Sequence, residues 1–126
     1  MTSLASVAVV LGVFAMGDAI AAECRDEVPA QQCFIARARI RIMASGLNEV
    51  WPIGSKRLYY VMLRSDEMEK RHLPANLRAV LTSDNTVFGE LEICPLEPDR
   101  PGYMRAVCIQ SASDLVVREP TASRSR

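Results

Sequence analysis

Between positions 34 and 43 the chain alternates with a period of two: Phe34, Ala36, Ala38, Ile40 and Ile42 fall on one side, Arg37, Arg39 and Arg41 on the other. Successive side chains of an extended strand point to opposite faces. This stretch therefore predicts a strand with an apolar face turned to a core and three guanidinium groups turned away from it. Ser45-Gly46-Leu47-Asn48 supplies a turn, after which Val50-Trp51-Pro52-Ile53 runs through Gly54-Ser55 into residues 56–63. There Tyr59, Val61 and Leu63 alternate with Leu58, Tyr60 and Met62, apolar on both sides, as a well-buried strand is. Pro52 has no N–H for a ladder and implies an edge or a bend.

Residues 65–71 are charged, with Asp66 facing Lys70 and Glu67 facing Arg71 at the helical i,i+4 spacing, and they stop short of Pro74. One or two exposed helical turns are expected there. From Pro74 to Thr82, Leu77, Val80 and Leu81 share one face of a short amphipathic helix, with Pro74 suited to its first turn. Ser83-Asp84-Asn85 is a turn, and Thr86 to Cys94 then sets Val87, Gly89, Leu91 and Ile93 against Phe88, Glu90 and Glu92, again a strand with one apolar face. A loop with Pro98, Pro101 and Gly102 leads to a strand from Tyr103 to Ile109, and Leu115 to Arg118 offers a short last one. The expectation is a mainly β domain with one or two short helices, a small antiparallel barrel or sandwich braced by disulfides. If residues 50–63 break into two strands at Gly54, the helical part falls between the third and fourth strands, the order of an OB-like barrel.

The start of the chain follows another pattern. From Leu4 to Ala22 nearly every residue is small or apolar, and Glu23-Cys24-Arg25-Asp26-Glu27 follows at once. The unbroken apolar run ends at Asp18, short of the ~20 residues of a spanning helix, so residues 1–22 read as a cleavable signal and not as a stable membrane span. Ala19-Ile20-Ala21 presents the small residues a signal peptidase needs, and a cut after Ala22 fits nearly as well. Glu23 before Cys24 suits lipoprotein processing poorly, and Thr2 and Ser3 leave the amino terminus as the positive charge of that segment. The expected organisation is a signal over 1–22, one β-rich domain over 23–119 and a disordered polar tail over 120–126. The expected address is the periplasm or the exterior.

Composition adds little to this. The chain has 15 Lys plus Arg and 15 Asp plus Glu, and the loss of Asp18 with the signal leaves 15 against 14. That balance indicates no specific nucleic acid. The cysteines say more: Cys24, Cys33, Cys94 and Cys108 all follow the signal, and an even count in an exported chain reads as two disulfides. Short loops beside predicted strands favour Cys24 with Cys33 and Cys94 with Cys108. No C-x-x-C spacing occurs and His72 is the one histidine, so neither a metal nor a cofactor is expected.

Arg37, Arg39 and Arg41 would stand about 7 Å apart along one strand, a row that could hold phosphate, sulfate or carboxylate groups. The plainer reading is a solvated face neutralised across strands by Glu90 and Glu92. Trp51 and Tyr60, with Tyr59 and Tyr103 in reserve, could supply rings to such a face. Catalytic signatures are thin. Ser83-Asp84-Asn85 stands without the Ser-x-x-Lys and Lys-Thr-Gly of the penicillin-binding enzymes, and any Ser or Cys nucleophile would need His72, expected to be solvated.

Cys33-Phe34 followed by the Arg-rich strand, Val50 to Leu58 (Val-Trp-Pro-Ile-Gly-Ser-Lys-Arg-Leu), Val87-Phe88-Gly89 with Ile93-Cys94-Pro95, Arg100-Pro101-Gly102-Tyr103-Met104 and Val107-Cys108-Ile109 together resemble a group of short, exported, uncharacterised proteobacterial proteins, over Cys33 to Val117. The resemblance implies a Gram-negative periplasmic setting and structural importance for Cys33, Cys94 and Cys108. It draws attention to Trp51, Gly54 and Arg57 but carries no catalytic residue. The expected function is a disulfide-stabilised binding module for an anionic ligand or an envelope protein, with Arg37, Arg39, Arg41, Trp51, Arg57 and Tyr60 as candidate contacts. The alternatives are a structural or stress-related envelope protein acting through protein contacts, or a small hydrolase.

Overall fold

The computed structural model describes residues 21–62 and 65–119. The expected signal up to residue 20 and the expected tail 120–126 lie outside these. Among the described residues five strands form the fold: β1 (Phe34–Ile42), β2 (Asn48–Pro52), β3 (Tyr59–Val61), β4 (Thr86–Pro95) and β5 (Arg105–Arg118). Helices α1 (Asp66–His72) and α2 (Ala75–Val80) stand between β3 and β4. The strands close a barrel in the order β1-β2-β3-β5-β4, so the sandwich alternative falls and the OB-like order holds. One pairing departs from an all-antiparallel barrel: β3 and β5 run parallel, through Tyr59↔Arg105 and Tyr60↔Ala106.

The stretch from Val50 does divide at Gly54, within the described residues 50–62. β2 makes its last pair with β3 at Val50↔Tyr59, and Pro52 ends β2 beyond that pair, where no strand asks for its missing N–H. Gly54 then takes φ 87°, a left-handed conformation that residues with a Cβ rarely adopt. The period-two pattern of β1 is realised as expected, with Ala38 and Ile40 fully buried and Arg37 and Arg41 exposed. The interior holds Ala38, Ile40, Val50, Tyr59, Val61, Val87, Leu91, Ile93, Val107 and Ile109, joined by Leu73 and Leu77 from the helical segment.

α1 starts where Ser65 Oγ accepts the Met68 N–H at 3.1 Å, an N-cap that relieves one of the unpaired amides of the first turn. Asp66, Glu67 and Glu69 in its first turn and Lys70, Arg71 and His72 in its last complement the helix dipole. Pro74 caps α2 from outside the helix instead of occupying its first turn. Among the described residues no helix is long and apolar enough to cross a membrane.

The last strand differs from expectation. In place of two short strands, β5 is continuous over 14 residues, and two irregularities interrupt its pairing with β4. Between Glu92↔Ser111 and Ile93↔Ile109, and again between Phe88↔Val116 and Glu90↔Ser113, β5 carries one residue more than β4. Each extra residue is a bulge that shifts the in-and-out phase by one, and Asp114 in the second takes φ 52°.

The cysteine pairing also corrects the short-loop expectation: Cys24 bonds Cys108, and Cys33 bonds Cys94. The register explains the second bridge. β1 opposes β4 at Phe34↔Ile93, so one step further along that antiparallel ladder sets Cys33 beside Cys94, with Cα atoms 4.2 Å apart. Cys94 and Cys108 are themselves directly opposed across β4 and β5, yet each turns to the segment before β1, residues 21–33, the N-terminal strap. Ala22, Cys24, Val28, Cys94 and Cys108 form a second buried cluster there, separate from the barrel interior. Two disulfides in a small barrel fit an exported, covalently stabilised domain.

Candidate functional site

Cross-strand register arranges the outward side chains in rows. One row runs Tyr60, Glu49, Arg41, Thr86, Arg118 across β3, β2, β1, β4 and β5, and the next runs Trp51, Arg39, Phe88, Val116. Arg37 stands opposite Glu90 in a third. Five of the six candidate contacts, Arg37, Arg39, Arg41, Trp51 and Tyr60, thus share one outer surface of the barrel.

The neutralisation of the arginines differs from the expected one. The carboxylate is Glu49, itself almost buried: its Oε1 accepts from Arg41 Nε at 2.9 Å and from Arg39 Nη2 at 3.3 Å. Glu92 is taken by Arg25 of the N-terminal strap, and Glu90 makes no ion pair with Arg37 despite facing it. Arg39 also lies over the Trp51 ring, 4.7 Å from its centroid, which fixes the guanidinium by a cation–π contact. One carboxylate for two guanidiniums leaves an excess of positive charge. Among the described residues, Arg37 and Arg118 form no ion pair.

An open groove of about 520 Å³ crosses this surface, lined by Arg39, Arg41, Phe88, Arg118, Thr86, the Ser83-Asp84-Asn85 turn and Glu119, so that two carboxylates, Asp84 and Glu119, share it with the arginines. A smaller hollow of about 190 Å³ continues it beyond Phe88, between Arg37, Val116 and Arg118. The turn is built as expected: Asn85 Nδ2 donates to Val80 O at 2.9 Å, and Asn85 Oδ1 accepts the Thr82 N–H at 3.0 Å. Phe88, Arg118 and Glu49 are not among the contacts that the sequence proposes. Phe88 is legible as the one aromatic on the polar side of its strand, whereas Glu49 falls between the turn that ends at Asn48 and the stretch that begins at Val50 and carries no pattern of its own.

Arg57 stands apart from these five. It belongs to a second cleft of about 410 Å³, where the β2–β3 loop (Lys56, Arg57, Leu58) meets the β4–β5 loop (Pro101, Gly102, Tyr103, Met104). Its partner is Asp99, bound through both guanidinium arms, with Nη1 2.7 Å from Oδ2. Hydrogen bonding to Arg57 holds the Asp99 carboxyl below its ordinary range, and the same bond raises the Arg57 guanidinium above its own. Trp51 Nε1 donates to Ser55 O at 2.8 Å, tying the first loop to the barrel wall. Tyr103 is 67% exposed with Arg100 over its ring, and Ile53 and Leu58 are exposed nearby.

His72 is buried and not solvated; its Nε2 lies 2.8 Å from Glu27 Oε2, and it lines neither cleft. Tyr59 is a core residue packed against Phe34. Cys33, Cys94 and Glu92 bring three potential metal-binding atoms within 4.8 Å of one another, but both sulfurs are committed to a disulfide and present no thiolate. Comparison with family models, with curated proteins and with solved structures finds no match.

Proposed function

We propose that this is an exported binding module that holds an extended anionic ligand, such as a phosphorylated or sulfated glycan, on the outer surface of β1, β4 and β5. One observation carries the reading: Arg37, Arg39, Arg41 and Arg118 stand around Phe88 along a groove and the hollow next to it, with the buried Glu49 between Arg39 and Arg41 and the carboxylates of Asp84 and Glu119 at the groove's edge, four guanidiniums against three carboxylates. Guanidinium forks match phosphate, sulfate and carboxylate oxygens, and a repeat of about 7 Å along β1 suits a chain of charges better than a lone ion. The ion pairs of Arg39 and Arg41 to Glu49 fix their direction before a ligand arrives, and such preorganisation lowers the entropic cost of binding. The signal-like N-terminus, the disulfides and the resemblance of Cys33 to Val117 to exported proteobacterial proteins support a periplasmic or secreted setting. The test is titration of the protein with a heparin oligosaccharide and with polyphosphate. Arg37→Ser together with Arg118→Ser, neither in an internal ion pair, is expected to weaken binding at least about tenfold, roughly 1.4 kcal/mol. Unchanged affinity in that variant contradicts the reading.

A second reading draws on the loop cleft. Exposed Tyr103, Leu58 and Ile53 beside Lys56 and Arg100 form a patch suited to an envelope protein, so that the module would act through protein contacts. Tyr103→Ala would then abolish capture of a periplasmic partner and leave glycan binding untouched.

A further inference from the structure

We propose that the mature chain begins at Ala22 and that the bulge at Gln110 is the receptor for this new terminus; the proposal rests on the export reading above. The sequence offers two positions for the cut, after Ala21 and after Ala22. They are not equivalent to the fold.

Ala22 is 6% exposed and packs with Cys24, Val28, Cys94 and Cys108. Its N–H donates to Gln110 O at 2.9 Å, and Gln110 Nε2 donates to Ala22 O at 2.9 Å. Cys24 N–H donates to Gln110 Oε1 at 3.0 Å, while the intervening Glu23 N–H donates to Arg71 O at 2.9 Å. One glutamine therefore engages the strap through its backbone carbonyl, its side-chain carbonyl and its side-chain amide, and every amide from 22 to 24 has a partner. Gln110 is able to do this because it lies within the first irregularity of β5, where the extra residue turns a side chain out of the regular alternation. Ile109 and Gln110 are consecutive and both buried.

A cut after Ala22 removes the donor to Gln110 O and the acceptor of Gln110 Nε2, and leaves both Gln110 groups in a buried place without partners. It also takes an alanine from the disulfide cluster. A cut after Ala21 keeps every contact. Water adds to the Ala21 carbonyl, the Ala21–Ala22 C–N bond breaks, Ala21 leaves with the carboxylate and Ala22 keeps an amine whose protons still reach Gln110 O. The small residues Ala19 and Ala21 then stand where a signal peptidase requires them, whereas the later cut puts Ile20 at the first of those two positions.

The test is expression of the full 126-residue chain in a Gram-negative host, recovery by osmotic shock, and intact mass with N-terminal sequencing under non-reducing conditions. The expected sequence starts Ala-Glu-Cys. A start at Glu23 overturns the proposal and leaves export standing, whereas an uncut chain retained in the cell overturns both. A precursor lacking Ala22 provides a second readout. Its product, starting at Glu23, is expected to melt on the order of 5 °C lower, and Gln110→Ala, which removes the side-chain bond to Ala22 O but keeps the backbone carbonyl at 110, is expected to reduce that difference. An equal drop with and without Gln110 contradicts the assigned role.

Discussion

Gly89 occupies a position where a Cβ fits only if its neighbours move. A Cβ there would stand 2.6 Å from Leu115 Cδ2 and 3.1 Å from the Ser113 carbonyl oxygen, because the second bulge of β5 folds across this point of β4. Gly89→Ala is expected to cost about 1–3 kcal/mol in urea unfolding, the usual range for overpacking. Asn48 presents the opposite case. It is fully buried, and neither its Oδ1 nor its Nδ2 has a hydrogen-bond partner. A buried amide left unpaired costs roughly 1–3 kcal/mol, so Asn48→Leu, of similar volume, is expected to leave stability unchanged or to raise it by about 1 kcal/mol. A loss of more than about 2 kcal/mol in urea unfolding would show that the amide has a partner after all. At this scale the sequence was readable wherever a residue follows its strand's alternation, as Arg37, Arg39, Arg41 and Phe88 do. Glu49 and Gln110 were not, because their importance depends on register and on a bulge, both set by distant partners.

At the scale of elements, β1 and β4 were legible because their alternation is unbroken for eight or more residues. β5 was not, and the reason is physical: two bulges shift its phase twice, so no single period runs from Arg105 to Arg118. The disulfide pairing was missed for a related reason. Short loops are the cheapest to close, but the bridges formed span 84 and 61 residues, following the β1–β4 register and the path of the strap. In the chain-entropy picture such long loops are worth about 4 kcal/mol each, so Cys24→Ser with Cys108→Ser is expected to cost at least about 2–4 kcal/mol in chemical unfolding.

The loop cleft carries a pH prediction at the same scale. Asp99 has a lowered carboxyl pKa in the folded protein, so its clamp on Arg57 is complete above the ordinary carboxylate value of about 4 and is lost as pH falls through the lowered one. The single tryptophan, bonded to the loop carbonyl of Ser55, reports it. Its fluorescence is expected to change below about pH 4, and Asp99→Asn is expected to remove that transition.

At the scale of the whole molecule, the barrel sets out one surface rich in guanidinium groups and the strap ties the chain's first described residues to the far strand. Neither the near-zero net charge nor the composition announces this surface, because many acidic residues lie elsewhere: Glu92 is bound to the strap, Asp99 to the loop cleft, and Asp66, Glu67 and Glu69 to the first turn of α1, while Glu49, Asp84, Glu90 and Glu119 stay on or beside the arginine surface. The fold class was legible in the alternating segments and in the placement of the helical stretch. Of the site, the β1 row and the rings of Trp51 and Tyr60 were legible, whereas Arg118 and Phe88 join it through pairings that the chain order does not display. The most direct test of the account is the affinity for a heparin oligosaccharide measured from about 50 to 500 mM salt, for the natural chain and for Arg37→Ser with Arg118→Ser. The account predicts that binding by the natural chain weakens at least about tenfold across that range and that the variant has both lower affinity and a shallower salt dependence. Salt-independent binding, or the same slope in both proteins, would contradict it.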